Sequence, residues 1–162
     1  MELKPIHKIL LTTDGSITRI LEAIVGKEVF IETVEQRVIR AGKDIAKVLE
    51  INEGDEVNYR VVNLKAEDDI LAHAISYTPL KRLEPEFKDD LMRADIPIGK
   101  IMKKHRIEAR REVNWWRVEK AGELGKIFGV SKDDYVLVRN YNIIHRGEIL
   151  INITEYFPAS KF

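Results

Sequence analysis

The last quarter of this chain repeats its second quarter. A shift of 79 positions without a gap superposes a series of identical residues, among them Arg60 on Arg139, Asn63 on Asn142, Tyr77 on Tyr156 and Pro79 on Pro158. The repeated segments, about 42–82 and 121–161, each predict a helix, a turn and a β-hairpin. Two such copies predict one antiparallel sheet with helices packed on it, an α+β fold with pseudo-two-fold character. A functional site is expected where the copies differ.

The size and composition of the chain favour one globular domain covering residues 1–162. A length of 162 residues is typical of a single domain, and a hydrophobic content of 44% can supply its core. Basic and acidic residues number 27 each, so the net charge is zero. A nucleic-acid partner is not expected, because nucleic-acid binding needs an excess of positive charge.

The sequence also indicates a cellular location. It contains no cysteine, which excludes disulfides, thiolate nucleophiles and iron–sulfur clusters and fits a reducing compartment. Its apolar runs, such as Ile9–Leu11, are far shorter than the roughly 18 residues of a membrane helix. The N-terminus lacks the charged and apolar regions of a signal peptide. We therefore expect a cytoplasmic protein without a membrane partner, and nothing in the sequence demands an oligomer.

No metal site or nucleotide cofactor is expected from the motifs. The four histidines, His7, His73, His105 and His145, lie in four different predicted elements without the spacing of metal ligands. The chain has no glycine-rich phosphate-binding motif and no nucleophile elbow.

Local patterns predict the elements around the repeat. Ser16–Ile24 is predicted as an amphipathic helix with Ser16 as its N-cap, and Ile98–Lys104 as a short helix. Arg106–Val118 is predicted as a long strand. Trp115 and Trp116 should then face opposite sides, one under a helix and the other shielding an edge or lining a pocket. One side of this strand carries Ile107, Ala109, Arg111, Val113 and Trp115.

Two charged residues stand inside apolar strands. Arg60 lies in a strand of the first copy, and Glu155 lies in an almost wholly apolar strand of the second copy. Burying either charge is costly unless it is paired, and a planar guanidinium suits a carboxylate ligand. The counterpart of Glu155 in the first copy is Ser76, so the acid occurs in one copy only. Arg60 and Glu155 are therefore the leading functional candidates.

The segments that carry these residues resemble the chorismate pyruvate-lyase family. The similar segments follow the family's order along nearly the whole chain: Asp14–Arg19, the strand containing Arg60, Pro97–Lys100, and the C-terminal run Leu150–Ser160 with its Thr-Glu step and its Pro-Ala-Ser end.

This resemblance implies a sheet with helices on one face, enclosing a small aromatic carboxylate beneath helical flaps without a metal or an organic cofactor. It implies elimination of pyruvate from chorismate to give 4-hydroxybenzoate. Arg60 would hold the ring carboxylate, and backbone amides near Ile17 and Ile98 would complete that site. Glu155 would hydrogen-bond the C4 hydroxyl and assist proton movement. The C4 hydrogen would pass directly to the enolpyruvyl methylene in a concerted step, or leave through a base such as Glu155.

The chain departs from the family in one strand. Family members often carry a further arginine before the first proline, whereas Leu71–Pro79 contains none and offers only His73 as a cationic side chain. Arg139 is then the candidate to bind a second carboxylate.

Two other interpretations stay open at this point. The fold also resembles the effector-sensing domains of GntR-type transcription regulators, which hold a small carboxylated ligand without breaking a bond. Without a winged-helix segment before Leu10, a complete regulator is not expected. Alternatively, Glu155 only forms a structural salt bridge with Arg60 or Arg139.

Overall fold

The computed structural model describes residues 1–93 and 96–162. Its strands form one antiparallel sheet. The strands are β1 (Phe30–Arg40), β2 (Glu56–Ala66), β3 (Asp69–Pro79), β4 (Arg110–Lys120), β5 (Tyr135–His145) and β6 (Glu148–Pro158). The helices are α1 (Pro5–Thr12), α2 (Ile17–Val25), α3 (Lys43–Leu49), α4 (Pro85–Arg93), α5 (Ile98–Lys104) and α6 (Leu124–Phe128). Within the described residues the strand order is β1-β2-β3-β6-β5-β4, and every neighbouring pair is antiparallel.

The order of elements occurs twice along the chain. Each half consists of two helices, a strand, a helix and a hairpin. The halves meet where β3 pairs with β6. The register places Arg60 opposite Ser76 in one hairpin and Arg139 opposite Glu155 in the other. The predicted fold class, an α+β fold with helices on an antiparallel sheet, is confirmed.

Helices pack on both faces of the sheet, not on one face as the resemblance implied. The main core joins α1, α2, α4 and α5 to one face, through residues such as Leu21 and Ile101. Helices α3 and α6 pack on the opposite face, against Val57 and Val136 respectively. Successive side chains of a strand point to opposite faces of the sheet. Val57 and Val136 point to the face opposite Arg60, so these strands carry apolar side chains on both faces and can bind helices on both.

The two helices nearest the site have the predicted bounds to within one residue. The Ser16 hydroxyl accepts a hydrogen bond from the Arg19 amide, and Gly26 ends α2 in the left-handed conformation at φ 68°. Glycine tolerates that conformation because it has no Cβ atom. The bounds of α5 agree with the prediction.

The prediction that one of the two tryptophans packs under a helix is wrong. Trp115 and Trp116 are 39% and 47% exposed, so neither packs under a helix. They lie on edge strand β4, beside a bulge between Val113 and Trp115. An edge strand has neighbours on one side only, and no sequence pattern showed that β4 would be the edge. In the part of the chain that the structure describes, no helix is long and apolar enough to cross a membrane.

A buried carboxylate ties α4 to α5. Asp90 on α4 contacts Lys104 Nζ at 2.8 Å, His105 Nε2 at 2.6 Å and Arg93 Nη2 at 3.0 Å. Hydrogen bonds from Lys104, His105 and Arg93 hold the pKa of Asp90 well below its usual value. Because α5 forms one wall of the cavity described below, this cluster helps to position the site.

We expect Asp90→Asn to lower the melting temperature, and the effect should depend on pH. A carboxyl group whose pKa is lowered by folding stabilises the protein above its unfolded-state pKa and loses that contribution as pH falls towards the folded-state value. The difference from wild type should therefore be full at pH 7 and shrink below the ordinary value of 3.8. Asp89→Asn, at the exposed neighbouring position, is the control. Equal melting temperatures at pH 7 would contradict this role.

Candidate functional site

A cavity of about 860 Å³ lies between the sheet and the helices α2 and α5. Its walls come from both halves of the molecule, and the floor is formed by inward-facing residues of the strands. The described side chains that matter most for binding and chemistry are Arg60, Ser76, Arg111, Tyr141 and Glu155. The remaining floor is largely aliphatic, with Ile31, Val62, Leu64, Ala74, Ile143 and Ile153. Such a cavity suits a small, partly apolar ligand with anionic groups.

Arg60 is a fully buried cation in the cavity wall. It is 1% exposed, and its Nη2 donates to the Ile96 carbonyl at 3.0 Å. Its cross-strand neighbour on β3 is Ser76. Strand β2 places the side chain inward because Arg60 shares its face with Val62 and Leu64, which also line the cavity. Arg60 is therefore placed to meet an anionic ligand group.

Glu155 lines the same cavity and is held by two hydrogen-bond donors. Arg139 Nε donates to one carboxylate oxygen at 2.8 Å, and the Tyr141 hydroxyl donates to the other at 2.8 Å. Burial and the nearby Glu155 charge raise the pKa of Tyr141 far above its usual value, so its phenol keeps its proton. Glu155 thus acts as an acceptor whose position is set by both partners, with lone pairs left for a ligand hydroxyl.

Arg139 lies behind Glu155. It is fully buried, its Nη1 donates to the Thr13 carbonyl at 2.6 Å, and its guanidinium carbon lies 4.5 Å from the centre of the Tyr141 ring. Its Nη2 is buried without a hydrogen-bond partner among residues 1–93 and 96–162. Arg139 is absent from the described residues that line the cavity. The role of Arg139 in binding substrate stays a prediction. Of the two salt bridges considered for Glu155 from the sequence, with Arg60 or with Arg139, the structure contains the one with Arg139.

The two predicted flap residues lie over the cavity. Ile17 begins α2 and Ile98 begins α5, and both line the cavity. The first N–H groups of a helix have no partner within the helix, so they are available to other acceptors. The structure therefore brings Arg60, Glu155, Ile17 and Ile98 together around one space.

His73, the cationic candidate on β3, belongs to the other face of the sheet. Its Nδ1 lies 2.7 Å from Asn63 Oδ1, and its ring lies against Tyr156. Burial lowers the pKa of His73, which favours the neutral imidazole. It alternates with Ala74, which lines the cavity. His73 therefore does not replace the missing arginine of that strand.

Tyr141 and Arg111 line the cavity but were not among the site residues predicted from the sequence. Tyr141 gave no signal, because a tyrosine is ordinary in a strand. Arg111 did give a signal that was not used: it alternates with Ile107 and Ala109, which lie just before β4 and also line the cavity. This is the same pattern that singled out Arg60 and Glu155.

Comparison with known proteins gives a consistent result. Residues 11–162 match the family model described as chorismate pyruvate-lyase Rv2949c-like. MJ0807 of Methanocaldococcus jannaschii, named provisionally as a lyase, is 37% identical over 158 residues that cover 94% of this chain and 78% of that protein. A chorismate pyruvate-lyase of Mycobacterium tuberculosis is 24% identical over 160 residues, which cover 96% of this chain and 80% of that enzyme.

A solved structure shares the fold. The effector domain of PhnF from Mycobacterium smegmatis superposes with a TM-score of 0.77 at 13% sequence identity, covering 93% of both chains. In the longer PhnF structure, the matched part is 66% of that chain. At this level of identity the likeness concerns the fold alone.

Proposed function

Because the chain belongs to the chorismate pyruvate-lyase Rv2949c-like family, we propose that it removes pyruvate from chorismate and releases 4-hydroxybenzoate. The observation that carries the proposal is that a buried arginine, Arg60, and a buried carboxylate, Glu155, line one cavity beneath two helices. These are the two groups that would recognise the ring carboxylate and the C4 hydroxyl of the substrate.

The proposed reaction balances without any further reactant. The C3–O bond of the enolpyruvyl ether breaks, the hydrogen on C4 leaves, and the ring becomes aromatic. That hydrogen, or one from solvent if a base removes it, ends on the enolpyruvyl methylene to give pyruvate. Since aromatisation drives the reaction, the protein needs chiefly to orient the substrate and stabilise developing charge.

Arg60 would bind the ring carboxylate through two parallel N–H···O bonds, the geometry that a guanidinium favours. The amides at Ile17 and Ile98 would donate to the same carboxylate from the helices above. Removing water from around this pair would strengthen each of these charge-assisted bonds.

Glu155 would accept a hydrogen bond from the C4 hydroxyl. Arg139 and Tyr141 occupy one oxygen each, which prevents the carboxylate from rotating away from the ligand. A fixed acceptor beside C4 can hold the substrate in a reactive orientation and can receive a proton during the reaction.

We expect Arg60→Ala to lower kcat/KM for chorismate by about 100- to 5,000-fold, because truncating one partner of a buried charge pair costs roughly 3–5 kcal/mol. Arg60→Lys should recover little, since an ammonium cannot form the bidentate pair. The assay follows 4-hydroxybenzoate by its ultraviolet absorbance. Arg37→Ala, at an exposed position on neighbouring β1, is the control and should match wild type. Retention of activity in folded Arg60→Ala would overturn the assignment.

A second candidate function is ligand binding without turnover. The observation that favours it is the shared fold with an effector domain, in which 93% of both chains superpose. It predicts no product from chorismate but stabilisation against heat by 4-hydroxybenzoate, which Arg60→Ala abolishes. Equal amounts of 4-hydroxybenzoate and pyruvate would exclude it.

A further inference from the structure

A second arginine reaches the cavity from the opposite edge of the sheet. Arg111 on β4 is half-buried and lines the cavity that Arg60 lines from β2. Ile31 on β1 has the equivalent register position, because it pairs with Leu64 as Arg111 pairs with Ile143, and it lines the same cavity. One edge strand therefore presents an aliphatic side chain and the other a cation.

The Arg111 side chain forms no hydrogen bond or ion pair with any residue that the structure describes. The neighbouring arginines on β4 do: Arg110 pairs with Glu112, and Arg117 pairs with Glu119. A Cβ atom built on Gly99 would lie 3.7 Å from Arg111 Nη2, so the guanidinium lies against the start of α5. A half-buried arginine that lines a cavity and forms no ion pair with the described residues is placed to receive an anionic ligand group.

The other basic side chains of the cavity belong to its rim. Arg19, Lys100 and Lys103 are exposed, so solvent screens their charges. Among the described lining residues, Arg60 and Arg111 are the basic side chains withdrawn from solvent. They define two separate anion-binding points rather than one positive surface.

The side chains of Arg60 and Arg111 converge towards the start of α5. Their strands, β2 and β4, are four strand spacings apart, about 19 Å along a flat sheet. The guanidinium groups are closer together than the strands, because Arg60 Nη2 donates to the Ile96 carbonyl and Arg111 Nη2 lies beside Gly99, three residues further along the chain. This arrangement fits a ligand with an apolar ring and a carboxylate at each end better than a ligand with one carboxylate.

We propose that Arg111 binds the second carboxylate of a dicarboxylate ligand, which in the proposed substrate is the carboxylate of the enolpyruvyl group. The inference rests on the proposed function for the identity of that group. Arg111 would thus take the role of the arginine that family members often carry in the strand equivalent to Leu71–Pro79. After the reaction the two carboxylates belong to different molecules, so 4-hydroxybenzoate loses the Arg111 contact and is held less tightly than the substrate.

The test compares a dicarboxylate with a monocarboxylate in matched variants. Arg111→Gln should weaken binding of chorismate about 10- to 100-fold, the loss expected for hydrogen bonds to a charged group. Binding of 4-hydroxybenzoate should change less than twofold. Arg110→Gln, at the adjacent exposed position, should leave both affinities unchanged, and Arg111→Lys should recover part of the chorismate affinity. Dissociation constants come from isothermal titration, with melting temperatures as the check on folding.

The outcomes separate this inference from the proposed function. If wild type turns chorismate over, KM and kcat replace the titration, and Arg111→Gln should raise KM. If wild type binds chorismate without turnover, the lyase proposal fails while the titration still tests Arg111. Equal weakening of both ligands, or no weakening of chorismate, would overturn the role of Arg111. Absence of chorismate binding to wild type would overturn both proposals.

Discussion

Glu155→Gln is expected to reduce kcat for chorismate by about 100- to 10,000-fold, the range for loss of a group that accepts a proton or its hydrogen bond in the transition state. The amide has the shape of the carboxylate, and its oxygen can still accept from Arg139 while its nitrogen donates to the Tyr141 oxygen. The cavity should therefore keep its shape. Binding of 4-hydroxybenzoate through Arg60 should persist, so the loss should appear in kcat more than in KM.

The control for this variant is Glu148→Gln. Glu148 begins the same strand, β6, but its side chain is 62% exposed and pairs with Arg82 at the surface. It should retain full activity. A folded Glu155→Gln protein with activity within threefold of wild type would show that Glu155 takes no part in the reaction and is a structural partner of Arg139.

The second large effect is on stability, and it concerns Arg139. Arg139→Leu should lower the free energy of unfolding by about 3–5 kcal/mol, because it leaves the buried Glu155 carboxylate without its cation. The Thr13 carbonyl also loses its donor, and the Tyr141 ring loses its contact with the guanidinium. Urea unfolding followed by circular dichroism measures the change.

A double variant separates the lost ion pair from lost packing. Arg139→Leu with Glu155→Leu removes both charges and keeps apolar volume, so it should be more stable than Arg139→Leu alone. The matched surface pair is Arg117 with Glu119, where Arg117→Leu should cost less than about 1 kcal/mol. A double variant that is less stable than Arg139→Leu would contradict the view that the unpaired carboxylate causes the loss.

Much of the fold could be predicted because its signals are local. The N-cap Ser16, the glycine after α2 and the alternation of the hairpin strands all act within a few residues. Helix α1 was not predicted: its signal was Pro5 at the first helical position, followed by an apolar run of only three residues. The position of β4 at the edge depends on contacts between distant strands, which no local pattern carries.

Part of the candidate site could be predicted because it contains charged residues at strand positions that are usually apolar. Arg60 and Glu155 stood out because charges are rare in apolar strand rows, and the structure places both in one cavity. Arg111 followed the same rule but shares its strand with other arginines, which made it resemble a solvated residue. The function of Arg139 as the partner of Glu155 depends on cross-strand register, which turn geometry and core packing decide together.

The most direct test of the central claim is a product measurement on the purified wild-type protein. Chorismate is added in excess, and 4-hydroxybenzoate and pyruvate are quantified in the same samples over time, with Glu155→Gln as the matched inactive protein. The account predicts that both products accumulate in a one-to-one ratio through many turnovers, and that the variant forms neither above the uncatalysed rate. No product in the presence of bound chorismate would contradict it, and so would 4-hydroxybenzoate formed at equal rates by both proteins.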